Sequence, residues 1–379
     1  MTGTPSICHV ITGLKTGGAE MMLWKLLSAS EFRVRSSVIS LRDKGTIGPR
    51  LEALGIPVTD IGIRKPLVGP IAWWRLRRAI SDCTPDLIQG WMYHGNLAAL
   101  LGRPNHRWPV TWSIRQSFGG YSNEKAMTRI AIKVGAWLSS RAARIIYNAR
   151  SSARQHEAIG YDPRRTVVIP NGFDLNTFRP DPVASAQLRA RLALSPQAIV
   201  VGNVARYHPM KDHLGLVQAA SVVAHKRPDV EFVLAGAGVD GNNHALIDAI
   251  TAHGLNQRVH LLGPVEDIAP LMAGLDVLCQ ASAWGEAFPN VLGEAMASAI
   301  PCVTTDVGDS AWLVDEAGIV VHPNEPAALA SALLELICAP VEVRRALGFK
   351  GRQRIQREFS LSVAASRYSS LYREVLAGS

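Results

Sequence analysis

Two carboxylates stand eight residues apart in Trp284-Gly285-Glu286-Ala287-Phe288-Pro289-Asn290-Val291-Leu292-Gly293-Glu294. Between them Phe288, Pro289 and Asn290 mark a helix start, because proline suits the first helical position, where no backbone N–H is needed. Glu286 is then a loop residue, and Glu294 sits about one turn inside the helix. The backbone N–H groups near Asn290 and Val291 face outward, and with the helix dipole they attract a phosphate. Just before, Asp276–Gln280 reads as a buried strand, which puts the two carboxylates at the carboxyl end of a strand, where α/β sheets bind ligands. Two cations, Arg206 and Lys211, stand five apart after the apolar run Ala198–Val204. Arginine grips two oxygens and lysine adds a point charge, a pair suited to a diphosphate in an open cleft. Near the start, Gly13-Leu14-Lys15-Thr16-Gly17-Gly18-Ala19-Glu20 forms a glycine-rich turn between an apolar run and an amphipathic helix, Met21–Ala29. Small residues there let the backbone approach an anion. The turn is neither GxGxxG nor a Walker motif, which counts against dinucleotide and nucleoside-triphosphate sites.

The elements that position these residues alternate. Ser6–Thr12, Ser36–Leu41, Pro57–Ile63, Asp86–Trp91, Val110–Ile114, Arg144–Asn148 and Thr166–Ile169 read as buried strands with helical patterns between them. The second half repeats the scheme with Ala198–Val204, Val230–Ala235, Arg258–Leu262, Asp276–Gln280, Pro301–Thr305 and Ile319–Val321. Such alternation predicts α/β architecture, parallel sheets with helices on both faces. A chain of 379 residues is too long for one ordinary core. The Asn-Gly turn in Pro170-Asn171-Gly172-Phe173-Asp174 closes the first half, so the domains are placed at 1–172 and 173–360. Glu342–Phe359 reads as a basic helix, and Ser360–Ala377 as an amphipathic one with Val363, Tyr368, Leu371, Tyr372 and Val375 on its apolar face.

The Glu-x7-Glu spacing resembles the donor-site motif of retaining glycosyltransferases of family GT4, which have the GT-B fold, two Rossmann-like domains whose parallel sheets face a cleft. Further segments resemble that family in the expected order: Gly17-Gly18-Ala19-Glu20, Ile169-Pro170-Asn171-Gly172-Phe173-Asp174, Arg206 with Lys211, Leu234-Ala235-Gly236-Ala237-Gly238, Leu261-Leu262-Gly263-Pro264-Val265 and Thr305-Asp306-Val307-Gly308-Asp309. The resemblance implies that Arg206 and Lys211 bind the donor diphosphate, Glu286 the donor sugar and Glu294 the ribose. It further implies donor contacts at Gly17, Gly18, Gly236, Phe288, Pro289, Asn290 and Val291, with the backbone at Val265 reading the nucleobase. The helix 361–379 is implied to pack back on the first domain, which takes the acceptor. The pattern also departs from the family. Where many relatives carry a histidine after the strand Val110–Ile114, this chain has Arg115, and His94 follows another strand end. These two are the acceptor-side candidates. The glutamate usual after the TDVGG-like loop is missing, and Trp312 lies nearby.

The implied activity is transfer of a sugar from a UDP-linked donor, a hexose or N-acetylhexosamine, to a glycan or lipid-linked glycan in surface polysaccharide synthesis. Arg206, Lys211 and Glu286 carry the catalysis. With no Asp-x-Asp pair, no divalent metal and no cofactor beyond the nucleotide-sugar cosubstrate are expected. Charge is uneven: residues 1–170 hold 24 Lys and Arg against 10 Asp and Glu, and seven of the nine tryptophans. Trp73, Trp74, Arg75, Arg77 and Arg78 cluster in a helix opened by Pro70 and ended near Cys83, a composition suited either to an anionic inner-membrane surface or to a packed Trp pair beside solvated arginines. A nucleic-acid partner is not expected. Five scattered cysteines, no secretory leader in Met1–Ser6 and no run of about 18 apolar residues fit a cytoplasmic protein, peripheral at most. A nucleotide-sugar 2-epimerase shares this architecture but needs acid/base groups around the sugar. An NAD-dependent dehydrogenase lacks its glycine fingerprint here, and a non-catalytic nucleotide-sugar binding module fits the same residues.

Overall fold

A computed structural model describes residues 4–63 and 69–378. The first three residues of the Met1–Ser6 stretch therefore lie outside the described residues. The chain divides into two compact units, Met1–Gly172 with Leu361–Ser379, and Phe173–Ser360.

In the first unit seven parallel strands run in the order β3-β2-β1-β4-β5-β6-β7. They are β1 (Ser6–Ile11), β2 (Arg35–Ser40), β3 (Val58–Asp60), β4 (Leu87–Trp91), β5 (Val110–Ile114), β6 (Arg144–Tyr147) and β7 (Thr166–Val168). Parallel strands covered on both faces read as continuous apolar runs, which is why these segments stood out. The two-residue period divides each run between two cores. From β1, Cys8 and Val10 join a core with the helices Pro70–Asp82, Met92–Gly102 and Ala126–Leu138. Ile7 and Ile11 point the other way, toward the helices Gly18–Ser28 and Leu361–Ala377. Tyr368, Leu371, Tyr372 and Val375 of that last helix are buried there, whereas Val363 is half-buried. The first helix begins at Gly18 rather than Met21, because Gly17 is already extended and serves as its N-cap.

In the second unit six parallel strands run β10-β9-β8-β11-β12-β13. They are β8 (Ile199–Val204), β9 (Val230–Ala235), β10 (Val259–Leu261), β11 (Val277–Gln280), β12 (Cys302–Thr305) and β13 (Gly318–Val321). The order reverses between β8 and β11, so the loops after these two strands diverge and open a crevice at the carboxyl edge. The predicted helix Glu342–Phe359 is two elements, an α-helix Val341–Arg354 and a π-helical turn Ile355–Phe359. At the exit from this unit Phe173 N–H donates to the Phe359 carbonyl at 2.9 Å, and Phe173 bridges Ser360.

Candidate functional site

The crevice of the second unit is built on the loops after β8 and β11. The loop Ala205–Asp212 is held by its own side chains. His208 Nδ1 accepts from the Met210 amide at 3.2 Å, and Pro209 opens a single 3-10 turn that ends at Lys211. Asp212 turns the chain with φ +46° and caps the helix His213–Lys226 by accepting from the Gly215 amide at 3.0 Å. Gly236, with φ +147°, lies so close to the Ala205 carbonyl that a side chain there would collide with it. The loop after β11 is tied to the first by Ala283 N–H donating to the Met210 carbonyl at 2.8 Å. Gly285 (φ +79°) turns it beside the Met210 side chain. From the other side the loop after β12 closes in: Gly308 presses on the Glu286 and Ala287 carbonyls, and Asp309 N–H donates to Ala287 O at 2.9 Å.

This framework brings Lys211 and Glu286 into an ion pair, their side chains 18% and 10% exposed. The same Glu286 oxygen accepts from Ser282 Oγ at 2.7 Å and Gln280 Nε2 at 3.2 Å. Gln280 is held in turn by Thr304 Oγ1, which donates to its Oε1. Lys211 was expected in an open cleft; it is instead largely covered, because Glu286 draws it inward. Arg206 is exposed and, among the described residues, forms no hydrogen bond or ion pair. Burial, opposed by the Ala205 backbone and aided by the Lys211 charge, lowers the His213 pKa to about 4, so His213 stays neutral.

The helix after Glu286 is Asn290–Ala297. Pro289 is its N-cap rather than its first helical residue, and no side chain caps the end. Asn290 is exposed and Val291 half-buried at this N-terminus, and Glu294 is only 8% exposed. Phe288, one of the expected donor contacts, turns its side chain into the core. Its ring is buried among Phe173, Trp312 and Phe359, with centroids 5.6–6.2 Å away. Trp312 belongs to this cluster too. Gly293 admits the Phe173 ring against the helix, where a Cβ would collide. Val265 is half-buried on the loop after β10, whose Gly263 carbonyl accepts from Gly236 N–H at 2.8 Å.

The remaining candidates lie in the first unit. Gly18 is open, with no neighbouring atom near the place of a side chain, but Glu20 folds its carboxylate back over Gly17. Burial raises the pKa of that carboxyl, and its own amide partly offsets the shift. The anion position at this helix start is thus partly filled from within. His94 sits half-buried in the first turn of Met92–Gly102, its pKa lowered by burial and then by Arg42. Arg115 does not stand free for an acceptor. It donates to Tyr368 OH at 2.8 Å and to Asn171, and lies 5.7 Å from the Trp91 ring, which makes it a strut for the last helix.

Gln280, Ser282 and Thr304 had no place among the expected site residues. A glutamine closing an otherwise apolar strand, six residues before a loop carboxylate, was the available signal. An exposed guanidinium and an anchored lysine on the loop after β8, and a helix start without a side-chain cap on the loop after β11, thus follow two neighbouring strands of one sheet, a set of groups suited to an oxyanion. Among the described residues no three His, Cys, Asp or Glu side chains converge as a metal site.

Comparison with known proteins gives matches in both units. The family described as Glycosyltransferase Family 4 matches residues 16–177, and Glycosyl transferases group 1 matches residues 195–339. The chain is 26% identical over 317 residues to the putative glycosyltransferase EpsF of Bacillus subtilis, covering 79% of each chain. It is 25% identical to an Escherichia coli UDP-Gal:alpha-D-GlcNAc-diphosphoundecaprenol alpha-1,3-galactosyltransferase, covering 75% of this chain and 74% of that one. Its fold superposes on Anabaena HepE, solved in complex with UDP, with TM-score 0.85 and 24% identity over 97% of this chain and all of the other.

Proposed function

This chain belongs to the family 4 glycosyltransferases, and from that premise we propose that it transfers a hexose or N-acetylhexosamine from a UDP-linked donor, with retention, to a glycan or lipid-linked glycan acceptor. The observation that carries the reading is the Lys211–Glu286 pair beside the unpartnered Arg206, at the point where the sheet order reverses. The bond that breaks joins the anomeric carbon to the diphosphate, so negative charge grows on the leaving oxygens. Arg206, the Lys211 ammonium and the helix end at Asn290–Val291 supply charge and donors for it. Glu286, fixed by Ser282 and Gln280, orients the sugar, and Glu294 takes the ribose hydroxyls. The acceptor hydroxyl attacks the same face and gives its proton to the departing phosphate. Two cations and a helix end take the place of a divalent ion, so neither a metal nor a cofactor is required.

UDP is supported by the nucleotide in the HepE complex and by the donor of the galactosyltransferase relative. That relative's diphosphoundecaprenol acceptor supports a lipid-linked glycan, and on this reading the enzyme works peripherally at the anionic inner face of a membrane. No single helix among the described residues is long and apolar enough to cross one.

The test supplies UDP-hexoses and UDP-N-acetylhexosamines with lipid-linked and soluble glycan acceptors, in EDTA, and reads the product anomer by NMR. Retained configuration with undiminished turnover is expected. An inverted product, an epimerised donor, hydride transfer, UDP-sugar binding without turnover, or loss of activity restored by Mg²⁺ or Mn²⁺ each contradicts part of the reading.

A further inference from the structure

The helices Pro70–Asp82, Met92–Gly102 and Ala126–Leu138 form one layer over the first unit's sheet, sharing the core beneath them. Their outer side is unusual. Every exposed large apolar side chain described in this unit lies on these helices, Leu54 excepted. Trp137 is 76% exposed, Ile71 71% and Trp74 58%, and Ile130, Met127 and Leu101 are exposed on the same three helices. Met127, Ile130 and Trp137 recur at spacings of three and seven on one helix, so they form an exposed stripe that borders its buried Ala131 and Leu138. An outward apolar stripe is not needed for the fold and marks a surface that meets something less polar than water.

Charge says what that something is. Segments 70–82, 92–107 and 125–141 hold nine Lys and Arg against one acid, Asp82. The acid is paired with Arg78 at 3.8 Å. Cations sit on the exposed rings: Arg141 lies 5.9 Å from the Trp137 ring centroid, and Arg78 5.3 Å from that of Trp74. An indole carrying a guanidinium presents an apolar body at acyl-chain depth and a cation at phosphate depth. Trp73, by contrast, packs on the core, so the tryptophan pair divides, one ring inward and one outward.

We propose that this three-helix face docks on an anionic phospholipid bilayer, with Met127, Ile130 and Trp137 as the inserting stripe and the surrounding Lys and Arg on the phosphates. The inference deepens the membrane part of the proposed function, on which it rests, and shares none of the transfer chemistry.

Flotation with phosphatidylglycerol-containing and pure phosphatidylcholine vesicles tests it, with UDP titration as a fold control. Binding to the anionic vesicles alone is expected, falling between about 0.05 M and 0.5 M salt as the charges are screened. Arg129→Gln with Lys133→Gln should weaken it about 25-fold, since each cation contributes about fivefold near such a surface. Ile130→Ser with Trp137→Ser should weaken it at least about tenfold with UDP affinity unchanged. Undiminished binding of the Ile130/Trp137 variant, with loss in an Arg75/Arg77/Arg78→Gln variant, overturns the inserting stripe and leaves membrane attachment standing. No vesicle binding by the unaltered protein overturns both. Self-association abolished by Trp137→Ser, without vesicle binding, assigns the face to a second copy instead.

Discussion

Replacing Lys211 by methionine removes the charge while keeping most of the side chain's length. Two effects then have to be separated. Glu286 loses its cation but keeps the Ser282 and Gln280 donors. A carboxylate only 10% exposed with neutral partners alone costs about 1–3 kcal/mol. For a unit of this size that lowers the thermal midpoint by roughly 2–12 °C. The second effect is chemical: one charge-stabilising donor to the leaving diphosphate is lost, worth a factor of about 10²–10³ in turnover. Adding Glu286→Gln discriminates between them. An amide keeps neutral hydrogen bonding with Ser282 and Gln280, so Lys211→Met/Glu286→Gln should regain most of the lost stability. Its turnover should stay at or below that of Lys211→Met. Calorimetric melting and initial rates of UDP release on the wild type, both single variants and the double variant complete the cycle. Recovery of turnover together with stability would mean that Lys211 acts only by neutralising a buried carboxylate, and the diphosphate role would be refuted.

The two glutamates should separate in a UDP titration: Glu294→Gln weakens UDP itself, whereas Glu286→Gln leaves UDP affinity nearly intact and damages transfer. Equal losses in calorimetry contradict this division. Acid sensitivity follows from buried imidazoles. Burial lowers the pKa of His156 to about 4, against a weaker opposing effect of the Ser152 carbonyl, and burial lowers that of His9 to about 3. Folded pKa values below the unfolded value of about 6.5 mean that the unfolded chain takes up the protons first. The stability these neutral rings represent is complete above about pH 6.5 and lost as pH falls toward 4. Melting curves from pH 7.5 to 4.5, taken as about-unit steps, should show this decline; His156→Gln should flatten part of it, and an unchanged slope counts against the assignment.

The strands were legible because each is buried on both faces, so an apolar run survives in the sequence; Val110–Ile114 needed no adjustment. The second-unit crevice was legible because its cations and carboxylates follow strands within a few residues. What escaped depends on distant partners. Phe288 looks like a site residue beside Glu286 until Phe173 and Phe359 close around it. Arg115 occupies a strand end suited to a ligand, yet its partner Tyr368 is 253 residues away. Gly18 reads as turn because glycine weakens any helical pattern, although here it opens the helix. Gln280 was hidden by the strand it ends, since nothing local shows that its amide meets Glu286 and Thr304.

The helix Leu361–Ala377 has a consequence for how the chain is made. It belongs to the first unit, yet the ribosome makes it after the whole of the second unit. Until it emerges, the core around Leu23, Leu26 and Trp91 lacks Tyr368, Leu371 and Tyr372. The second unit has no such debt: all of Phe173–Ser360 precedes that helix. Synthesis therefore inverts the usual N-to-C order of domain completion. Through elongation of the second unit, the nascent protein carries an open apolar trough on its older half. A premature stop anywhere in the last helix would leave a complete second unit joined to a first unit missing one wall, a substrate for chaperones and proteases.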